Sequence, residues 1–304
     1  MGRQNITFLY GRVTKPPTIK LDAVTGEPTL GLVYVDVVRS LRPVGDDKKF
    51  VVHDAPLVLT REKALIGRIS QWKENTIVFI KGTVSTRRIN KTSFCPHCTD
   101  EDGNPTRNTI EGTLVYVTPI YVSTVKDYGQ DKRAAVEDVV ENREISNQIL
   151  VLGTLLTDPK LFTTKQKIQI TQYKVALNRK FTIRTDDPTV KTDYPIVKSY
   201  GEQALKDKTY LRYQADVLID GFLQSRTVTR KTKCPCCGNI YEWKDGAMEL
   251  VPYDVEYVKG HKSNEEVEGE QNKTVEEYMQ YLFNSQFKDN LDGDNDDFKS
   301  DDVK

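Results

Sequence analysis

Apolar and polar positions alternate along several runs of this chain, the pattern of strands with one buried face. ITFLYGRV (6–13), LGLVYVDVV (30–38) and NTIVFIKGTVSTR (75–87) are rich in β-branched and aromatic residues. GTLVYVTPIYVSTV (112–125) and MELVPYDVEYV (248–258) read the same way. Two short stretches, REKALIGRISQW (61–72) and GEQALKDKTY (201–210), have helical spacing instead. A third, TVEEYMQYLFNSQF (274–287), puts Val275, Tyr278, Met279, Leu282 and Phe283 on one helical stripe, with Thr274 as its N-cap. Such a stripe serves as a docking or core face.

The pattern occurs twice. FIKGTVSTR, with Gly82 and Arg87, is answered by LIDGFLQSR, with Gly221 and Arg226, and HDAPLV, with Asp54, by TDYPIV, with Asp193. Asp54 precedes Gly82 by 28 residues and Asp193 precedes Gly221 by 28. Each of these glycines stands 13 residues before a cysteine, Cys95 or Cys234. ITFLYGRV, with Gly11, matches ILVLGTLL, with Gly153, and a glycine inside a strong strand marks a bulge or a bend at a barrel corner. The spacings predict two copies of one domain. About five strands with a helix after the third is the plan of an OB-fold. The expected organisation is a first barrel at 1–124, a partly helical linker at 125–146, a second barrel at 147–260, a helical segment at 261–288 and an acidic disordered tail at 289–304.

Charge sharpens this picture. The chain is neutral overall, yet residues 262–304 hold 13 acids against 5 Lys and Arg, leaving the rest with a surplus of eight positive charges. A basic body with an acidic tail suits a polyanion partner. No segment approaches the length of a membrane span, and the N-terminus lacks the apolar core of a signal peptide. A cytoplasmic protein is expected. The three histidines are scattered and no nucleophile or phosphate loop is evident, which argues against an enzyme.

Four of the five cysteines form two C-P-x-C pairs, Cys95 with Cys98 and Cys234 with Cys237. A structural zinc takes four tetrahedral ligands, and a Cys-x-x-Cys turn supplies two. Each copy therefore offers half a site, in a hairpin insertion between its fourth and fifth strands. One Zn2+ shared by the two barrels is the leading expectation. The alternatives are ligands drawn from two chains, His97 or Cys236 replacing a cysteine, redox chemistry and free thiols. Redox use is disfavoured because a hairpin has no helix N-terminus to lower a thiol pKa.

Basic and aromatic residues are interleaved on the strands. Arg179, Lys180 and Phe181 are consecutive, and Lys198 and Tyr200 share a strand face. Arg226 and Arg230 follow the fourth strand of the second copy, Arg87 and Arg88 that of the first, and Arg39 ends a strand of the first. A positive groove with flat stacking platforms is what single strands bind.

In four ordered segments, NQILVLGTLLTDPKL, YKVALNRKF, TDYPIVKSYGEQAL and ADVLIDGFLQSRT, the second copy resembles the bacterial single-stranded DNA-binding protein family, over residues 147–230. The resemblance implies base-stacking roles for Phe181, Tyr194 and Tyr200. The position of a fourth family aromatic falls near Val228, and Ala55 stands where the second copy has Tyr194. It also implies two OB-folds per chain, a homodimer, and an acidic tail that recruits replication or repair proteins. Asp296, Asp297 and Phe298 resemble the family's tip, although the chain continues to Lys304. The implied function is coating of single-stranded DNA in replication, recombination or repair. A replisome accessory module that uses its barrels for protein contacts, and a zinc-containing factor for single-stranded RNA, are the alternatives.

Overall fold

The computed structural model describes residues 4–39, 51–179 and 189–291, with side chains as far as 281. Met1–Gly260 form one compact unit and His261–Lys304 a second. The first half of the larger unit runs β1 (Asn5–Val13), β2 (Thr18–Leu21), β3 (Pro28–Arg39), β4 (Val52–Asp54), β5 (Leu57–Thr60), α1 (Lys63–Ile69), β6 (Thr76–Thr99), β7 (Pro105–Asp127) and α2 (Lys132–Glu141). The second half repeats it as β8 (Asn147–Leu155), β9 (Lys160–Thr163), β10 (Gln169–Asn178), β11 (Thr192–Asp193), β12 (Ile196–Tyr200), α3 (Gly201–Tyr210), β13 (Asp216–Lys233) and β14 (Ile240–Lys259).

Each half closes a five-stranded barrel. In the first, β1 pairs β6, β6 pairs β7, β7 meets β5 in parallel, β5 pairs β3, and β3 returns to β1. In the second, β8, β13, β14, β12 and β10 close in the same order, with the parallel step between β12 and β14. A helix follows the third barrel strand in both, the OB-fold plan. Leu9, Val35, Val58, Ile80 and Val117 fill one interior, and Val151, Val175, Val197, Ile219 and Leu250 the other.

The repeated glycines do different work from a shared corner bend. A Cβ at Gly11 would stand 2.5 Å from the carbonyl oxygen of Asp36, so this position marks the close approach of β1 to β3. In each long strand one of the register shifts falls beside the repeated glycine, Gly82 or Gly221, and a Cβ at Gly221 would collide with the carbonyl oxygen of Val251.

The barrels join through their first strands, β1 pairing antiparallel with β8 from Asn5↔Val151 to Leu9↔Asn147. A buried asparagine at each end of this pairing ties its strand to its own barrel. Asn5 exchanges a pair of 2.9 Å hydrogen bonds with the backbone of Val84, and Asn147 does the same with Leu223 at 2.8 and 3.0 Å. The segment expected as a linker is packed against the first barrel: Asp131 caps α2, Ala135 and Val139 are buried, and Asp138 accepts from the Tyr10 and Tyr128 hydroxyls.

Among its described residues the smaller unit holds one helix, α4 (Asn264–Leu291). It begins ten residues before Thr274, whose hydroxyl donates to Glu270 O within the helix. The start is set by a capping box: Ser263 N–H donates to Glu266 Oε2 and Glu266 N–H to Ser263 Oγ. No described helix is long and apolar enough to cross a membrane.

Candidate nucleic-acid interface and cysteine cluster

The fourth and fifth strands of each barrel run on without a break into a long hairpin, β6–β7 and β13–β14, so the cysteine segments are the tips of barrel strands. The two hairpins meet. Tyr241 is buried and its hydroxyl is bonded to Ser93 Oγ and Asn108 Nδ2, both at 2.7 Å. Lys91 Nζ reaches Asp245 Oδ1 at 2.6 Å and Gly246 O at 3.1 Å.

At the tips, the sulfurs of Cys95, Cys98, Cys234 and Cys237 lie within 4.8 Å of one another. Cys95 and Cys237 are 3.8 Å apart, Cys98 and Cys234 3.6 Å. These separations are far too long for disulfides. They match the edge of a tetrahedron whose corners sit ~2.3 Å from a central metal, about 3.8 Å. Gly238, with φ of +73°, closes the second turn, where a side chain would be strained. All four cysteines belong to one chain, and His97 and the exposed Cys236 stand outside the cluster. Burial pushes the Cys95 thiol up to about 12, while backbone N–H groups of Cys237 and Cys236 bring Cys234 down to about 6.

Two of the expected phosphate ligands are committed elsewhere. Arg179, 9% exposed, donates to Asp193 through Nε at 2.6 Å and Nη2 at 2.8 Å. Arg39 forks onto Asp54 at 2.5 and 3.3 Å in the same way. Each aspartate also reaches into the opposite barrel, Asp193 accepting from Thr86 N–H and Asp54 from Ser225 N–H, both at 2.7 Å. Burial drives the Asp54 carboxyl up, and Arg39 only partly offsets it. Arg39 and Arg179, expected on the nucleic-acid surface, thus take part in a pseudo-symmetric seam between the barrels. The cause is their burial beside aspartates that lie 14 or 15 residues further along the chain.

The other cations share carboxylates. Lys198 and Arg226 both hold the buried Glu249, at 2.8 Å, and Lys91 and Arg230 both hold the buried Asp245, at 2.6 and 2.5 Å. Each trio keeps one net positive charge. Burial raises Glu249, but Arg226 and Lys198 outweigh it and leave its pKa below the ordinary value. Arg87 and Arg88 are exposed on the first hairpin. Tyr194 is exposed, with Lys174 Nζ 5.9 Å from its ring centre, and Tyr200 is half-buried, its hydroxyl 3.3 Å from Gln224 Oε1. Lys180 and Phe181, and Asp296, Asp297 and Phe298, lie outside the described residues.

Sequence reasoning missed Tyr34 and Trp243. Tyr34 pairs with Leu57 as Lys174 pairs with Ile196, so the two copies exchange their aromatic between neighbouring strands: Tyr34 with Ala55 in the first, Lys174 with Tyr194 in the second. Only the strand register carries that signal.

Residues 146–234 match the single-strand binding protein family. No curated protein matches the chain. Among solved structures, a deletion and point mutant of the single-stranded DNA binding protein from Thermus aquaticus aligns with a TM-score of 0.51 at 16% identity, covering 88% of this chain and 100% of that one. The wild-type protein from Thermus aquaticus aligns at 0.50 and 15% identity, covering 86% and 97%. By its sequence the second barrel is similar to the single-strand binding protein family, and the chain shares the fold of the Thermus aquaticus protein.

Proposed function

We propose that this chain is a binding protein, not an enzyme, that coats single-stranded DNA without reading its sequence, in the cytoplasm, during replication, recombination or repair. The observation that carries the reading is the family match of residues 146–234 on a barrel whose face offers Tyr194 beside Lys174 and the Lys198–Arg226 pair. Stacking on aromatic faces and attraction of phosphates are indifferent to base identity. The copies at 1–124 and 147–260 act as two binding domains, fixed through the β1–β8 seam. Tyr194, Lys198, Tyr200, Arg87, Arg88, Arg226 and Arg230 are the contacts proposed from described residues.

The four clustered cysteines fit one structural Zn2+ per chain, because an all-thiolate tetrahedral donor set suits zinc. Zinc would tie the hairpin tips together and take the place of thiol protons. The test of the DNA reading is intrinsic fluorescence. Trp72 is buried, whereas Trp243 is half-buried on the second hairpin. Oligo-dT should change the intrinsic tryptophan and tyrosine emission, unlabelled single strands should reverse the change, and duplex should not. Equal reversal by duplex would overturn the reading. Stronger competition by single-stranded RNA would redirect it to an RNA-binding factor.

A further inference from the structure

A cleft of about 760 Å³ lies between the first barrel and the two hairpins, lined by Tyr34 and Leu57 on one side and Trp243 and Met248 on the other. We infer that this cleft is an additional stacking site for unpaired nucleobases, built from Tyr34 and Trp243. The inference rests on the single-strand reading and adds to it a place where a strand crosses between the copies.

The departure from internal symmetry carries the argument. The register that makes Lys174 the counterpart of Tyr34 also makes Ile110 the counterpart of Trp243, since Lys91 pairs with Ile110 as Arg230 pairs with Trp243. At both positions the aromatic side chain belongs to this one cleft, and its twin is a lysine or an isoleucine. Tyr34 is 56% exposed, so its ring is open to a ligand in the cleft. Trp243 is held in orientation by its indole N–H, which donates to Thr232 Oγ1 at 2.9 Å.

The walls fit a nucleic acid better than an apolar peptide. Lys91 and Arg226 line the cleft, and each belongs to a trio of two cations on one buried carboxylate. The surplus positive charge complements phosphates, and the rings between take base faces, which a duplex keeps stacked. The volume admits a base with its sugar.

The test uses the full chain purified with its metal. An oligo-dT carrying 5-iodouracil is cross-linked by light, and the attachment sites are read by mass spectrometry; Tyr34 and Trp243 should be labelled. Tyr34→Ala should weaken oligo-dT binding by about 5- to 150-fold, the loss of one stacked base, and Tyr34→Phe should restore it. Tyr194→Ala serves as the reference on the second barrel. If Tyr194→Ala weakens binding while Tyr34→Ala binds like the wild type and cross-links avoid both rings, the cleft is not a base site and the single-strand reading stands. If the wild type binds no single strand, that reading falls and this inference with it.

Discussion

Replacing Asp193 by alanine removes the acceptor of four hydrogen bonds in the seam between the barrels. Asp193 is fully buried and takes two bonds from Arg179, at 2.6 and 2.8 Å, and two from Thr86, at 2.7 and 3.4 Å. The variant leaves a guanidinium that is 9% exposed without its counter-charge. Breaking a buried pair in this way costs about 3–5 kcal/mol, a large share of the ~5–15 kcal/mol that holds a folded protein together. Equilibrium urea denaturation reads that loss directly. The double variant Asp193→Leu with Arg179→Met should recover most of it, since an apolar pair of similar volume carries no stranded charge. The salt dependence of oligo-dT binding gives an independent check. Removing one cation that neutralises a phosphate flattens the slope of log K against log salt by about 0.7, so Arg88→Ala should flatten it and Arg179→Met should not. A stability loss below about 1 kcal/mol for Asp193→Ala, with a flattened slope for Arg179→Met, would refute the seam and return Arg179 to the DNA surface.

Three further outcomes are expected. Stripping the metal with a chelator should release one zinc per chain and lower the thermal midpoint, and Cys234→Ser should reproduce the lower midpoint without releasable zinc; an unchanged midpoint would show that the clamp contributes nothing. Gly221→Ala forces a Cβ against Val251 O and should cost about 1–3 kcal/mol in urea denaturation, whereas Gly246→Ala, with open space around it, should be close to neutral. Arg226 and Lys198 hold Glu249 below its ordinary pKa of 4.5, so its contribution is complete above that value and is lost as pH falls through the depressed one; Glu249→Gln should blunt this acid sensitivity in a stability profile below pH 4.5.

The barrels were legible because their evidence is local. Strand alternation, the helix after the third strand and the equal spacings from Gly82 and Gly221 all survive in one dimension. The joining of Cys95 and Cys98 to Cys234 and Cys237 also followed, since each half-site is incomplete by itself. What depended on register did not follow. Arg179 reads as a surface cation until β10 and β11 place it against Asp193, and only the pairing of β3 with β5 brings Tyr34 beside the strand that follows Ala55. The helical segment expected from 261 contains the start of α4, but its N-cap is Ser263 with Glu266, a capping box ahead of the apolar stripe, and not Thr274.

Fluorescence anisotropy of labelled oligo-dT, titrated with the full chain at low and moderate salt, tests the central claim most directly. Tight binding that weakens steeply with salt and resists excess duplex is the predicted result. Absence of binding at low salt, or displacement by duplex as readily as by single strand, would contradict the account.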